Sequence, residues 1–136
     1  MTEKRVLSGE KPLVLVADDD RDICELVEMK LLQSNYRVVT VNDGESALIE
    51  IIKISPDFVL LDIMMPGLTG TEVLSRMRST DGCTDIPVML FSAKSQEFDL
   101  DSVLKMGAVD YITKPFSPRE LVQRIAEAIG RVYGSG

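Results

Sequence analysis

The sequence predicts an α/β fold in which five βα units form a three-layer, doubly wound domain around a parallel five-stranded sheet. Short apolar runs alternate strictly with segments of helical periodicity, and the connections between them are short. The length of 136 residues suits five such units, and 45% hydrophobic with 27% charged residues is a globular composition. The predicted strands are LVLVA at 13–17, YRVVTV at 36–41, FVLL at 58–61, IPVMLF at 86–91 and VDYI at 109–112.

Four of the apolar runs are nearly continuous, which is typical of strands covered by helices on both faces. The second run is more polar, so it is expected at an edge of the sheet. Each run is followed by apolar residues at helical spacing. The predicted helices contain 23–31, 47–52, 73–77, 98–106 and 117–129.

Three helix ends carry local signals. Asp20 is expected to cap the first helix, and Gly107 is expected just beyond the end of the fourth. Ser117 and Glu120 form a capping-box pattern with Pro118 between them. The fifth helix is therefore predicted to begin with Pro118 at its first position.

One domain is expected over 13–133, between an N-terminal tail at 1–12 and a C-terminal tail or expression remnant at 134–136. No effector domain is expected in this chain. No apolar stretch has the length of a membrane span, and the N-terminus lacks the apolar segment of a signal peptide. Because Cys24 and Cys83 form no disulfide or metal motif, a cytoplasmic protein without membrane contact is expected.

Charge and histidine content exclude several function classes. The net charge is −7 and the pI is near 4.6, without a stripe of Lys and Arg, so direct nucleic-acid binding is not expected. The chain has no histidine, which excludes Ser-His-Asp and Cys-His catalysis and removes the commonest zinc ligand. Any histidine donor must therefore belong to a partner.

Acidic residues follow two of the predicted strands. Asp18, Asp19 and Asp20 come after the first strand, and Asp62 comes after the third. The carboxyl ends of parallel strands meet at one edge of the sheet, where ligands bind. Asp20 can serve as a helix cap, but Asp18 and Asp19 near Asp62 would repel one another unless a cation intervenes. Carboxylates without histidine or thiol suit Mg²⁺, with Mn²⁺ as a substitute.

Two further polar residues are expected at the same edge. Lys114 follows the fifth strand, and Ser92 follows the fourth. Taken alone, Lys114 is equally explained as a strand-end lysine reaching for water, and Ser92 as an ordinary loop hydroxyl. Beside the acids, a lysine and a metal ion would together neutralise a transferred phosphoryl group, so the set favours phosphoryl chemistry.

As a set, these residues resemble the receiver domain of two-component response regulators, over about residues 13–131. The resemblance rests on VLVADDD, LLDIMMPGLTG, LFSA and DYITKPF, taken in order. The separations of 30 positions from Asp62 to Ser92 and 22 from Ser92 to Lys114 are similar to those of the family. The resemblance implies a CheY-like, flavodoxin-like fold with the strand order 2-1-3-4-5.

The same resemblance implies roles for the site residues. Asp62 would be the phosphoacceptor, and Lys114 would contact the phosphoryl group. Asp18, Asp19 and Asp62 would hold Mg²⁺, together with the backbone carbonyl of Met64. The domain would attack a partner's phosphohistidine and later assist hydrolysis of its own aspartyl phosphate, without being an enzyme for other substrates.

Further residues would act in switching and in hydrolysis. Ser92 would move toward the phosphoryl group, coupled to rotation of Tyr111, and change the surface of the fourth helix, fifth strand and fifth helix. Tyr111 is equally explained as an ordinary core aromatic. The Lys114-Pro115 bond is expected to be cis. In the family that the sequence resembles, the positions of Met64 and Lys94 influence hydrolysis. Neither side chain is a carboxylate or amide that would orient water, so a long-lived phosphoryl state is expected.

The implied partners are a sensor histidine kinase or a histidine phosphotransfer protein, and an unidentified downstream effector. The chain would be a monomer or a phosphorylation-dependent homodimer.

Three alternative functions share part of this sequence pattern. A haloacid-dehalogenase-like phosphatase would need a second Asp in place of Met64, and a nucleotide binder would need a Gly-rich loop in place of the acids at 18–20. The third is a pseudo-receiver, a binding module that signals without phosphorylation.

Overall fold

The computed structural model describes residues 11–93 and 100–134. Strands and helices alternate along the described chain, as the sequence predicts. The strands are β1 (Leu13–Ala17), β2 (Arg37–Val41), β3 (Phe58–Asp62), β4 (Val88–Ala93) and β5 (Asp110–Lys114). The helices are α1 (Arg21–Gln33), α2 (Gly44–Ile54), α3 (Gly70–Arg78), α4 (Leu100–Lys105) and α5 (Pro118–Tyr133).

All five strands are parallel and lie in the order β2-β1-β3-β4-β5. This is the predicted flavodoxin-like arrangement, and β2 is at an edge as its polar sequence indicated. β5 forms the other edge, and Ile112 is its only buried residue. The prediction that β5 is covered on both faces like the inner strands was wrong, because a strand with one neighbour keeps part of its surface open.

Two apolar cores lie on opposite faces of the sheet. On one face, α1 and α5 cover side chains such as Val16, Leu60 and Phe91. On the other face, α2, α3 and α4 cover side chains such as Leu61 and Leu90. The alternation of side chains along each strand assigns neighbouring residues to different cores. Packing of helices on both faces of the sheet therefore fixes the positions of the carboxyl ends of the strands.

The predicted helix ends are largely confirmed. Asp20 caps α1, and its carboxylate accepts hydrogen bonds from the N–H groups of Asp22 and Ile23. Gly107 ends α4 with φ of 101°, and its N–H donates to the carbonyl of Leu104. The predicted start of α4 at 98 lies outside the described residues.

Ser117 caps α5, and Pro118 occupies the first turn as predicted. The Ser117 hydroxyl accepts a hydrogen bond from the N–H of Glu120. The Glu120 carboxylate lies 3.7 Å from Arg124 Nε. A reciprocal capping box is found instead at α3, where Thr69 and Glu72 satisfy each other's N–H groups. The pattern Thr-x-x-Glu before an apolar pair was the signal for it.

Arg78 ties the end of α3 to the end of α4. Its guanidinium donates to the carbonyls of Cys83, Thr84 and Gly107, the last at 2.9 Å. Burial lowers the pKa of Arg78, but a guanidinium stays charged in proteins. The contact fixes the turn from which β5 starts. Among the described helices, none is long and apolar enough to cross a membrane.

Candidate functional site

The register of the sheet places the predicted site residues in one row. Asp62 at the end of β3 pairs with Phe91 of β4, and Asp18 follows Ala17, the last residue of β1 to pair with β3. Side chains of paired residues in a parallel sheet point to the same face. Asp18 and Asp62 therefore both project from the carboxyl edge on the face covered by α1 and α5.

Asp18, Asp19 and Asp62 form an acidic cluster. Each contributes one carboxylate oxygen to a group whose members all lie within 4.8 Å of one another. Asp18 and Asp62 are buried, whereas Asp19 is exposed and opens the cluster to solvent. The structure thus brings together the three carboxylates that the sequence assigned to a metal ion.

The electrostatics of the cluster disfavour its full ionisation. Burial raises the pKa of Asp18, and the charge of Asp62 raises it further, against lowering by the Lys114 ammonium and the Asp20 N–H. Desolvation and the adjacent Asp18 raise the pKa of Asp19. One ammonium beside three carboxylates leaves excess negative charge, so the cluster fits a divalent cation.

Lys114 reaches the centre of this cluster from the end of β5. Its Nζ lies 2.7 Å from Asp18 Oδ2 and 3.2 Å from Asp62 Oδ2. Burial by itself would lower the pKa of Lys114, but the hydrogen bonds and charges of Asp18 and Asp62 outweigh it and raise the pKa. The ammonium is therefore held at the predicted acceptor and does not extend into water.

Ser92 and Tyr111 form the second contact of the site. Their hydroxyl oxygens are 2.6 Å apart, so one donates a hydrogen bond to the other between β4 and β5. Ser92 is buried, and Tyr111 is partly buried against the core beneath α2, α3 and α4. The two residues assigned to switching are thus directly linked.

Met64 and the Lys114-Pro115 bond lie next to the predicted acceptor and the lysine. The N–H of Met64 lies 3.3 Å from Asp62 Oδ1, and the Met64 side chain is 50% exposed. The Lys114-Pro115 bond is cis, as expected. Lys94 lies outside the described residues. The use of the Met64 carbonyl as a metal ligand stays a prediction.

Sequence reasoning missed one neighbour of the site. The face of the buried Phe91 ring lies beneath Lys114, with Nζ 4.7 Å from the ring centroid. Phe91 was assigned only to the apolar interior of a strand. The pairing of Phe91 with Asp62 depends on the register between strands, which the local pattern does not contain.

Comparison with known proteins identifies the family. The family model for the response regulator receiver domain matches residues 14–126. The chain is similar in structure to the receiver domain of the Francisella response regulator 1452, with a TM-score of 0.81 and 35% identity. That match covers 89% of this chain and 98% of the other.

Two curated relatives are longer. The chain is 41% identical to the alkaline phosphatase synthesis transcriptional regulatory protein PhoP of Bacillus subtilis, over 87% of this chain and 48% of PhoP. It is 38% identical to the phosphate regulon transcriptional regulatory protein PhoB of Pseudomonas aeruginosa, over 90% and 53%. The chain thus spans about half the length of these relatives.

These findings bear on two expectations from the sequence. The expectation that the protein does not bind nucleic acid directly is not supported, because both relatives are named as transcriptional regulatory proteins. The pseudo-receiver reading gains no support, since acceptor, acids and lysine are assembled in the described site. The matched family, the strand order and the clustered aspartates agree, and the chain belongs to the response regulator receiver domain family.

Proposed function

We propose that the chain accepts a phosphoryl group on Asp62 from a phosphohistidine of a sensor histidine kinase or a histidine phosphotransfer protein. The observation that carries the proposal is the position of Asp62, whose carboxylate belongs to the acidic cluster and lies 3.2 Å from the Lys114 ammonium. A carboxylate is a competent nucleophile when the charge on the incoming phosphoryl group is neutralised. The Lys114 ammonium supplies part of the positive charge that this reaction needs.

In the proposed reaction, a carboxylate oxygen of Asp62 forms a bond to phosphorus. The bond between phosphorus and the partner's imidazole nitrogen breaks, and its electron pair stays on that nitrogen. The Lys114 ammonium contacts Asp62 Oδ2 before the reaction. It would therefore contact and neutralise the phosphoryl oxygens once they are attached to Asp62. Catalysis is therefore positioning and charge neutralisation, with no proton removed from the nucleophile.

A magnesium ion would be held by Asp18, Asp19 and Asp62, and by the carbonyl of Met64. When bound, the ion would supply positive charge for the phosphoryl oxygens, and Mn²⁺ has the same oxygen preference. The exposure of Asp19 gives the ion an entry from solvent. Burial raises the pKa of Asp18 and of Asp19, and a neighbouring carboxylate raises each further, so a bound cation would offset both effects.

The proposed output is a change in the surface formed by α4, β5 and α5. A phosphorylated Asp62 offers new acceptor oxygens to the hydroxyl of Ser92. Because Ser92 already contacts Tyr111, a shift of Ser92 changes the position of Tyr111 on β5. An effector that reads this surface, or a second copy of the chain, would sense the change.

We propose a long-lived phosphoryl group, since the exposed Met64 thioether does not orient a water molecule. The buried thiols of Cys24 and Cys83 form no disulfide in the described part of the chain, which suits the reducing cytoplasm. For a longer protein that contains this chain, we propose transcriptional control, because both relatives are named for it.

The test is intact mass measured after incubation with Mg²⁺ and acetyl phosphate or phosphoramidate. The expected result is the gain of one phosphoryl group, which is lost with EDTA and absent in Asp62→Asn. Asp57→Asn is not a suitable control, because Asp57 Oδ2 accepts from the N–H of Leu13 in the fold. Asp81→Asn, in an exposed turn, is the matched variant and should be phosphorylated normally. A folded protein that binds magnesium and gains no mass would favour the pseudo-receiver instead.

A further inference from the structure

The ammonium of Lys114 lies over the ring of Phe91. The ring is completely buried, and the ammonium lies 4.7 Å from its centroid. The Lys114 side chain is only 17% exposed, so water screens this contact weakly. At this distance the negative face of an aromatic ring attracts a cation.

The sheet register places the two side chains on the same face of neighbouring strands. Asp62, Phe91 and Ile112 are paired across β3, β4 and β5. Lys114 lies two residues beyond Ile112 on the same strand and therefore projects from the same face. To reach Asp62, its side chain must cross the position occupied by Phe91. An aliphatic residue there would offer the lysine stem packing but no attraction for the ammonium.

A second aromatic fixes the orientation of the ring. Phe116 lies 5.9 Å from Phe91, centroid to centroid, with the ring planes at 80°. In this edge arrangement Phe116 restrains Phe91 from rotating, so its face stays toward Lys114. Three neighbours then hold the ammonium, namely the Asp18 carboxylate, the Asp62 carboxylate and the Phe91 ring.

We propose that Phe91 is a positioning residue for phosphoryl transfer, which holds the Lys114 ammonium at the acceptor through the face of its ring. The kinetic consequence rests on the proposed function, whereas the contact itself does not. Phe91 touches neither the phosphoryl group nor Asp62 as a reactant. Its contribution is to limit the positions that the lysine ammonium occupies before the phosphoryl group arrives.

The first test replaces Phe91 with phenylalanines carrying one, two or three ring fluorines, introduced site-specifically. Fluorine withdraws electron density from the ring face while leaving its shape nearly unchanged. We expect the rate of phosphorylation by acetyl phosphate with Mg²⁺ to fall stepwise, by about threefold to tenfold at the third fluorine. The matched control is the same series at Phe58, which is equally buried in the same apolar core and should show no trend.

The second test needs no phosphorylation. Ring current should shift the NMR signals of the Lys114 ε-methylene protons upfield, and Lys114→Arg should remove the signals and so assign them. Phe91→Leu should return the shift to that of a free lysine, while Phe58→Leu should leave it displaced. The fluorinated proteins serve as the test if Phe91→Leu does not fold.

The outcomes separate the two proposals. An undisplaced ε-methylene shift in the folded wild-type chain would overturn the contact. A flat fluorine series at Phe91, in a chain that is phosphorylated normally, would overturn the positioning role. If the wild-type chain takes no phosphoryl group at all, the proposed function fails, and the NMR shift alone then decides whether Phe91 holds Lys114.

Discussion

At the scale of single residues, Met64 is expected to set the lifetime of the phosphoryl group. Its side chain is 50% exposed beside the acceptor, and a thioether is a poor partner for water. Replacing it by an amide in Met64→Asn should orient a water molecule and shorten the lifetime by about fivefold. The measurement is the decay of phosphorylated intact mass after removal of the phosphodonor.

Met29→Asn is the control for that change. Met29 is 48% exposed but lies on α1, away from the carboxyl edge of the sheet where Asp62 lies. An unchanged lifetime in Met64→Asn, or an equal effect of Met29→Asn, would contradict the assigned role of position 64. Lys94, the other position assigned to hydrolysis, lies outside the described residues.

The acidic cluster should make stability depend on pH and on magnesium. The folded chain binds protons at Asp18 and Asp19 more tightly than the unfolded chain, because both pKa values are raised. Without metal, the free energy of unfolding should therefore fall as pH rises above 3.8, the ordinary value of both groups. Lys114, with a raised pKa, adds stability that is complete below its ordinary 10.5 and is lost above it.

Bound magnesium should offset the repulsion among the ionised carboxylates of the cluster at neutral pH and so stabilise the folded chain. At an ion concentration about a hundred times its dissociation constant, the free energy of unfolding should rise by about 2.7 kcal/mol. Urea unfolding with and without Mg²⁺ measures this, and the gain should shrink as acid protonates the cluster. Asp19→Asn should weaken the magnesium effect and Asp81→Asn should not, whereas equal responses of the two variants would argue against the site.

At the scale of elements, the start of α3 packs directly on the acceptor strand. A Cβ on Gly70 would lie 2.3 Å from the carbonyl oxygen of Asp62. Gly70→Ala should therefore push α3 away from β3 and cost about 1–3 kcal/mol of the free energy of unfolding. Phosphorylation should slow with it, because the backbone that carries Asp62 moves.

Gly130→Ala is the matched control for that substitution. Gly130 lies within α5 with open space around the added Cβ. Alanine is the better helix former, so this change should stabilise the chain by up to about 1 kcal/mol. Chemical denaturation of both variants decides the point, and a Gly70→Ala chain as stable as the wild type would show that α3 is not held against Asp62.

Elements were predictable from sequence where a local signal exists. The cap of α1 at Asp20 and the end of α4 at Gly107 could be predicted. Both depend only on the residue itself and on backbone groups within one helical turn. The anchoring of α4 by Arg78 was not predictable, because Arg78 and Gly107 are distant in sequence and meet only after the sheet forms. The partial exposure of β5 likewise follows from its place at the sheet edge, and its apolar sequence does not show it.

At the scale of the whole molecule, Ser92 is expected to connect the acceptor with the surface of α4, β5 and α5. Ser92→Ala removes the hydroxyl that contacts Tyr111. The variant should still be phosphorylated, within about threefold of the wild-type rate, since the nucleophile and Lys114 remain. Its hydrogen-exchange difference between the phosphorylated and unphosphorylated states should be lost over 100–133.

Ser79→Ala provides the comparison, because its hydroxyl contacts only the end of α3 among the described residues. Ser79→Ala should keep the exchange difference. If Ser92→Ala also keeps it in full, then the contact between Ser92 and Tyr111 does not carry the change.

The composition of the site was predictable at this scale, but its internal geometry was not. Strand ends of a parallel sheet converge, so Asp18, Asp62 and Lys114 could be placed together from their positions in the sequence. The contact of Lys114 with Phe91 depends on which residues of β3, β4 and β5 are paired. That register is a property of the assembled sheet.

The measurement that tests the central claim most directly is the identity of the phosphorylated residue. Borohydride reduces an aspartyl phosphate to homoserine, and tandem mass spectrometry of the resulting peptides locates the change. The account predicts homoserine at position 62 after phosphorylation with Mg²⁺, and unchanged aspartate at Asp18 and Asp19. Homoserine at another aspartate, or none in a chain that has gained phosphoryl mass, would contradict the assignment of Asp62 as the acceptor.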